Sequence, residues 1–386
     1  MEKATQIAMI ERVLAHLEAR TTDMIDAQGR VPSAWYLDPG RLERERAALF
    51  RRLPLCVGPS HLVRGPGDFL THDVDGIPVL VSRDRDGRLG AFLNVCRHRG
   101  TRLVDAAVGE GKKSFVCPYH AWTYGTDGAL LGIPHAGGFP DVDRGRCGLV
   151  RLPVGEAHGL VFVIPVRADA RPEGDAIDLD AHLSGLGPDL AALKIGDHVS
   201  YEVRTIRRRF NWKLTFDIFL EAYHLRVAHA ASIYPMFFDN VGLFDAFGPH
   251  QRNVFPKRAI AGLADVDRER WDIRPVANVL FQIFPNTIIL VEPDHMAMFS
   301  VYPDGLGGAR LESRMLLPEP PQGPRAEAYW QKNAAILHGA IDEDFALGES
   351  IQSAFAAGAN EAMNFGRYEQ GLTRFHAAVA QALDEG

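Results

Sequence analysis

The sequence predicts an α+β protein in which a compact all-β unit is followed by a larger unit of mixed strands and helices. Three observations carry that expectation. Between about Pro54 and Pro165, short apolar runs such as Val79 to Val81 and Leu160 to Ile164 alternate with the turn pairs Asp86-Gly87 and Asp127-Gly128. All four cysteines, Cys56, Cys96, Cys117 and Cys147, fall inside that stretch. Beyond it, strand-length runs at Tyr201 to Arg207, Val279 to Phe284, Thr287 to Val291, Met296 to Tyr302 and Leu311 to Leu317 mix with helical patterns, as in an antiparallel sheet flanked by helices.

The elements follow in order. Ile7, Ile10, Val13, Leu14 and Leu17 recur at helical spacing over residues 4–20, and Leu42 to Phe50 reads as helix again. Arg167 to Asp180, a mixture of Asp, Ala, Arg, Pro and Gly, reads as a connecting loop. A helix is expected from about Trp212 to His229, and a last helical region from about Arg325. The expected divisions are a helical part over 1–50, the β unit over 51–165 and the mixed unit over 166–386.

The 386 residues, 46% hydrophobic and 24% charged, have globular composition for about two domains. With 42 Lys and Arg against 49 Asp and Glu the net charge is -7, which offers phosphates no basic footprint, so nucleic acid is not an expected partner. No run approaches the roughly 18 apolar residues of a membrane span. The start of the chain, with Glu2, Lys3, Glu11, His16 and Glu18, lacks the apolar core of a secretory signal, and a cytoplasmic location is expected. In that compartment thiols stay reduced, so paired cysteines point to metal or redox chemistry, while Cys56 and Cys147 read as small buried thiols.

The sharpest signal is Cys96-Arg97-His98-Arg99-Gly100 followed by Cys117-Pro118-Tyr119-His120-Ala121-Trp122. Two cysteines and two histidines can hold a tetrahedral zinc, or a 2Fe-2S cluster with thiolates on one iron and imidazoles on the other. An extended Cys-x-His places both side chains on one side with their Cα atoms about 6.6 Å apart, which mildly favours two neighbouring irons. These motifs resemble the Rieske iron-sulfur domain. The resemblance assigns Cys96 and Cys117 to one iron and His98 and His120 to the other.

A second constellation follows: Asn211-Trp212-Lys213, then Asp217, Glu221, Tyr223, His224 and His229. Two imidazoles and one carboxylate form the facial triad of non-haem Fe(II) oxygenases. On a regular helix His224 and His229 stand about 140° apart, so their convergence on one ion predicts that the helix unwinds there. Glu221, three residues before His224, can fix that ring's orientation, and Asp217, one turn earlier, can support the same network.

Together the two motifs resemble the catalytic α subunit of the Rieske non-haem iron oxygenases over nearly the whole chain. The resemblance implies an all-β Rieske domain inserted in a helix-grip, START-like catalytic domain, with a 2Fe-2S cluster and a mononuclear Fe(II) as cofactors. It implies that Asp344 completes the triad from near the start of a late helix; Asp342 is the alternative ligand, and helix capping the alternative role. It gives Glu221 a bridging part toward the Rieske histidine of a neighbouring subunit, and hence a head-to-tail ring, most simply a homotrimer. Glu221 also marks a departure, because many ring-hydroxylating members carry Asp there, whereas Glu recurs among members that attack N-methyl groups of quaternary amines.

Phe216, Phe219, Phe237, Phe238, Phe244 and Phe247 suggest an apolar pocket, with His250, Arg252 and Asn253 either at the surface or holding a polar substrate group. Arg207, Arg208 and Arg209 read as a solvated run or a docking point for an acidic ferredoxin. No dinucleotide fingerprint occurs, and Ala106 stands where a phosphate loop ending at Gly111-Lys112 needs glycine, so a separate reductase, with or without a ferredoxin, is the expected electron donor. The expected activity is O2-dependent hydroxylation of a small aromatic or apolar compound. Oxidative N- or O-demethylation is the alternative within that class. A Rieske electron carrier without oxygenase activity and a colourless zinc-binding module are the alternatives outside it.

Overall fold

The computed structural model describes residues 1–385 and shows two compact units. One comprises residues 1–45, 183–193 and those from 198 on; the other comprises 46–182 and 194–197. The β unit thus begins earlier and ends later than the expected 51 and 165. The helix expected over Leu42 to Phe50 is split, with α-helix Pro39–Glu45 giving way to a π-turn Arg46–Phe50 at the division. At the other end, Leu179 packs over Gly155 and His182 meets the edge of Phe162, which ties the presumed linker to the β unit.

Within that unit a five-stranded antiparallel sheet runs in the order Arg151–Leu152, Leu89–Leu93, Ile77–Arg83, Phe69–Val74, Val108–Gly109. Two three-stranded sheets accompany it. One contains Ser114–Val116, Thr123–Gly125 and Leu130–Gly132, so the second Cys-x-x-His segment is the connection between its first two strands. Phe69, Leu80, Phe92, Phe115, Trp122 and Tyr124 form the core, with Cys96 and Cys117 buried among them. Cys56 is buried in strand Leu55–Pro59, as its reading as a small apolar thiol expects.

The other unit is built on a seven-stranded antiparallel sheet in the order Val199–Arg208, Ala309–Leu317, Met296–Pro303, Thr287–Val291, Ala277–Ile283, His250–Pro256, Leu243–Phe247. Helix Gly323–Phe355 lies against the first two of these strands, where Ala334 packs with Met315 and Leu317. Helix Gln370–Asp384 buries Leu372, Phe375, His376 and Val379, the one-sided spacing of an amphipathic helix, and Phe375 stacks on Phe216 at 4.4 Å. Strands Gly29–Pro32 and Ala362–Phe365 pair antiparallel and join the two ends of the chain within the unit.

Burial corrects the surface reading of His250, Arg252 and Asn253. All three are buried on strand His250–Pro256: Arg252 meets Asp189, Asn253 lies against Gly371 of the last helix, and His250 Nδ1 accepts the Phe284 N–H at 2.9 Å. Arg252 bridges Asp189 and Asp245, and Asp245 is also held by Arg12 at 2.8 Å, which pins the N-terminal helix Lys3–Ala19 to the sheet. Burial opposes the Asp245 charge, yet hydrogen bonds from Arg252 and Arg12 hold its carboxyl below the usual range. A carboxyl lowered on folding adds stability that is present above pH 4 or so and lost as pH falls through the lowered value. We expect Arg252→Met to cost about 1.5–3 kcal/mol at pH 7 in urea unfolding, with the deficit shrinking toward pH 3.

Candidate functional site

The first cluster of candidate ligands rests on two loops with the same backbone plan. The Cys96 N–H donates to the Thr101 carbonyl at 2.8 Å, and the Gly100 N–H returns a bond to the Cys96 carbonyl at 3.0 Å. Likewise the Cys117 N–H donates to the Trp122 carbonyl at 2.9 Å, and the Ala121 N–H returns to the Cys117 carbonyl at 3.0 Å. The fifth residue of each loop is left-handed, Gly100 at φ 82° and Ala121 at φ 56°; glycine takes that conformation without strain. His98 and His120 then face each other with ring centroids 4.7 Å apart, and Trp122 stacks on His98 at 5.0 Å.

The donor chemistry fits a cluster held by two thiolates and two imidazoles. The Nδ1 atoms of His98 and His120 are both buried without a hydrogen-bond partner. Cys96 and Cys117 are free thiols close enough to interact, and burial pushes the Cys96 thiol up. The Tyr124 hydroxyl stands 3.4 Å from Cys96 Sγ and accepts the Arg97 N–H at 2.9 Å.

The second cluster forms where the expected long helix breaks. Helix Lys213–Phe219 ends at Leu220, the chain turns through Glu221 to His224, and a single turn Leu225–Ala228 follows. His224 and His229 therefore cap the two ends of that turn, with ring centroids 5.3 Å apart. This is the unwinding that their spacing requires. Asp344 Oδ1 lies 2.9 Å from His229 Nε2 and 3.4 Å from His224 Nε2, and one ligand atom from each of the three residues falls within 4.8 Å of the others.

Asp344 is well inside helix Gly323–Phe355, so neither the expected place near a helix start nor a capping role holds. Asp342 is drawn away to Arg208. Arg207 and Arg209 likewise meet Asp304 and Glu349, so the basic run faces its own unit's acids.

Each imidazole is steered by a carboxylate on its other nitrogen. His224 Nδ1 bonds Glu221, whose carboxylate also accepts the backbone N–H groups of Tyr223 and His224. His229 Nδ1 bonds Glu343 Oε2 at 2.6 Å, and the Ser232 hydroxyl donates to the same oxygen at 2.6 Å. Such partners turn both Nε2 atoms toward one point. Burial lowers the His224 ring, but Glu221 and Asp344 outweigh it, and His229 is raised against burial by Asp344 and Glu343. The field that draws a proton here equally suits a divalent cation. Sequence reasoning missed Glu343; its only signal was its place beside Asp344 in the acidic run.

Asp217 does not join this network. Its Oδ2 accepts from the Tyr36 hydroxyl at 2.7 Å, and its Oδ1 bonds His376 Nε2 at 2.7 Å. Both oxygens being committed in the core, Asp217 positions helix Lys213–Phe219 rather than acting on a substrate. The Asn-Trp-Lys run is structural in the same way. Trp212 Nε1 and Lys213 Nζ each donate to Glu45 Oε2 at 2.9 Å, and the Asn211 N–H donates to Gln352 Oε1 at 2.9 Å.

A cavity of about 320 Å³ opens on the His224, His229, Asp344 cluster, within the usual range for small-molecule sites. Its walls are mainly apolar: Ile218, Leu225, Ile233, Met236, Leu280, Leu290 and Ile341. Of the expected aromatic residues only Phe219 and Phe237 reach it, joined by Phe255; Phe216 is core. Phe244 packs against Phe255, and Arg252 stands over Phe247.

Comparison with known proteins follows the same two-part division. Residues 54–143 match the Rieske [2Fe-2S] domain, and residues 191–385 match the ring hydroxylating alpha subunit (catalytic domain). The chain is 31% identical over 218 residues to the carnitine monooxygenase oxygenase subunit of Escherichia coli strain K12, covering 55% of this chain and 54% of that protein. It is 33% identical over 228 residues to the chlorobenzene dioxygenase subunit alpha of a Cupriavidus species, covering 57% and 49%. The matched part thus spans about half the length of these curated relatives. The fold matches a solved structure of a quaternary ammonium Rieske monooxygenase, described for its carnitine oxidation and inter-subunit electron transfer, at TM-score 0.77 and 23% identity, covering 92% of this chain and 95% of that one. No described helix is long and apolar enough to cross a membrane. The cofactors are a Rieske 2Fe-2S cluster and a mononuclear iron, and the chain belongs to the ring-hydroxylating α-subunit family of Rieske oxygenases.

Proposed function

We propose that the protein is the terminal oxygenase of a Rieske system and oxidises a C–H bond of a small organic substrate. The observation that carries this reading is the convergence of His224, His229 and Asp344 at an apolar cavity, a ligand set that leaves metal positions open. Cys96, His98, Cys117 and His120 hold the cluster, and the three converging residues hold the iron. When bound, the cluster relays electrons from an NAD(P)H-dependent reductase, directly or through a ferredoxin, and the iron activates O2. Glu221 and Glu343 orient the two imidazoles, while the apolar walls limit water. In a head-to-tail homotrimer Glu221 faces the neighbouring subunit as the bridge that the family resemblance implies.

Similarity to an enzyme named for carnitine, together with Glu at position 221, favours oxidation of an N-methyl group over the aromatic hydroxylation preferred from sequence. One oxygen atom of O2 enters the methyl C–H bond, and the other leaves as water with two electrons and two protons. The hydroxymethyl C–N bond then breaks, its electron pair staying on nitrogen, and formaldehyde departs with loss of a proton. Aromatic dihydroxylation is the second reading, favoured by Phe219, Phe237 and Phe255 in the cavity.

Turnover with a panel of N-methyl quaternary amines and simple arenes separates the two readings. Formaldehyde equal to O2 consumed supports demethylation, and a diol supports the second. Substrate-independent O2 uptake with the whole panel counts against both. Glu221→Ala is expected to lower iron affinity or turnover about 10- to 100-fold, measured by iron titration and O2 uptake.

A further inference from the structure

We propose that Lys257 reads an anionic group on the substrate, so that the molecules taken by this cavity carry a carboxylate remote from the carbon that is oxidised. The proposal deepens the oxygenase reading and rests on it. Lys257 is the only lysine or arginine among the described residues that line the cavity. It follows strand His250–Pro256, its N–H fixed to the Val276 carbonyl at 2.8 Å.

Two acids share this part of the cavity, and both are already satisfied. Glu292 accepts from Asn278 Nδ2 at 2.9 Å through one oxygen and from Lys257 Nζ at 3.3 Å through the other. Asp294 meets His295 Nδ1 at 2.8 Å and the Tyr329 hydroxyl. The Lys257 ammonium has three N–H donors; Glu292 takes one at long range, and the Phe237 ring flanks the ammonium at 6.0 Å. Lys257 therefore keeps donors for an acceptor that enters the cavity, whereas the carboxylates do not need another partner.

The position of this charge sets where the anionic end lies. Tyr329 and Asp344 are on one helix wall, 15 residues or about four turns apart along it. The bond between Tyr329 and Asp294 puts the turn Glu292 to His295 at the Tyr329 end, away from the iron ligands. Arg274 fixes that turn, donating to the Glu292 and His295 carbonyls at 3.0 and 3.1 Å. Between the two ends lie Leu280 and Leu290, paired across neighbouring strands, and Ile336, Leu337 and Ile341 of the helix. A substrate with its carboxylate on Lys257 points its apolar or alkylammonium part along this sleeve toward His224, His229 and Asp344.

The test is calorimetric titration of the metal-loaded protein without O2, using 4-(trimethylammonio)butanoate and its primary amide, and 4-phenylbutanoate and its amide. In the wild type at least one acid is expected to bind about 10- to 100-fold more tightly than its own amide, the range for a charge-assisted hydrogen bond. Lys257→Met should bring that ratio near one, with iron content unchanged, and Lys257→Arg should keep most of it. The double variant Lys257→Met, Glu292→Gln leaves no unpaired Glu292 charge and should give the same loss. An undiminished ratio in either methionine variant, or no preference for the acid in either wild-type pair, overturns the proposal. Loss of O2-coupled turnover with an intact affinity ratio would instead count against the oxygenase reading alone.

Discussion

Replacing His224, His229 or Asp344 by alanine is expected to remove the mononuclear iron and abolish substrate-coupled O2 uptake, while the two cluster irons and their colour stay. Each of the three supplies one ligand atom to a common point. Losing one leaves a bidentate site, which holds a divalent ion poorly in competition with water. The cluster ligands come from loops of the other compact unit, and its core contains no part of the triad. Iron and acid-labile sulfide analysis with the paramagnetic resonance spectrum of the reduced cluster reads the two sites separately. Electron transfer through the cluster unchanged in all three variants, with no substrate-coupled O2 uptake by the wild type, would favour the electron-carrier alternative. Glu343→Ala should be milder, about 10- to 100-fold in iron affinity or turnover, because it removes only the restraint on His229 Nδ1.

The largest expected stability effect comes from Glu45. Its carboxylate lies fully buried and accepts from Lys213 Nζ, Trp212 Nε1 and Arg41 Nε. Burial lowers the Lys213 ammonium against the pull of Glu45, a sign of how much that charge depends on its partner. Glu45→Ala strands Lys213 in the core and is expected to cost about 3–5 kcal/mol, read by urea unfolding followed through tryptophan fluorescence. Pairing Glu45→Leu with Lys213→Met should recover part of the loss, because it removes the stranded Lys213 charge but still leaves Arg41 and Trp212 Nε1 without their acceptor. Equal stability of Glu45→Ala and wild type would mean that the pair is solvated.

Much of this architecture is legible in local pattern. The two compact units, the strand runs and the Cys-x-His and Cys-x-x-His loops follow from periodicity, turn residues and ligand spacing, because each is decided by neighbours in sequence. Even the break in the histidine helix is legible, since five residues of regular helix cannot bring His224 and His229 together. The partners of Asp217 are not. Tyr36 and His376 are 181 and 159 residues away in the chain, and no local spacing announces them. The same holds for Glu45 beneath Trp212 and Lys213.

Long-range packing decided the remaining points. Asp189 and helix Gln370–Asp384 lie against strand His250–Pro256, which turns residues that look like a polar surface into a buried strand. Asp344 and Glu343 take opposite parts at the triad only because helix Gly323–Phe355 presents one to both Nε2 atoms and the other to His229 Nδ1. The sequence by itself determined which ligand types this chain carries and roughly where, because coordination chemistry is written in residue identity and spacing. Only the tertiary structure decided which carboxylate meets the histidines and which charge lines the cavity, because those pairings join segments that only folding brings together.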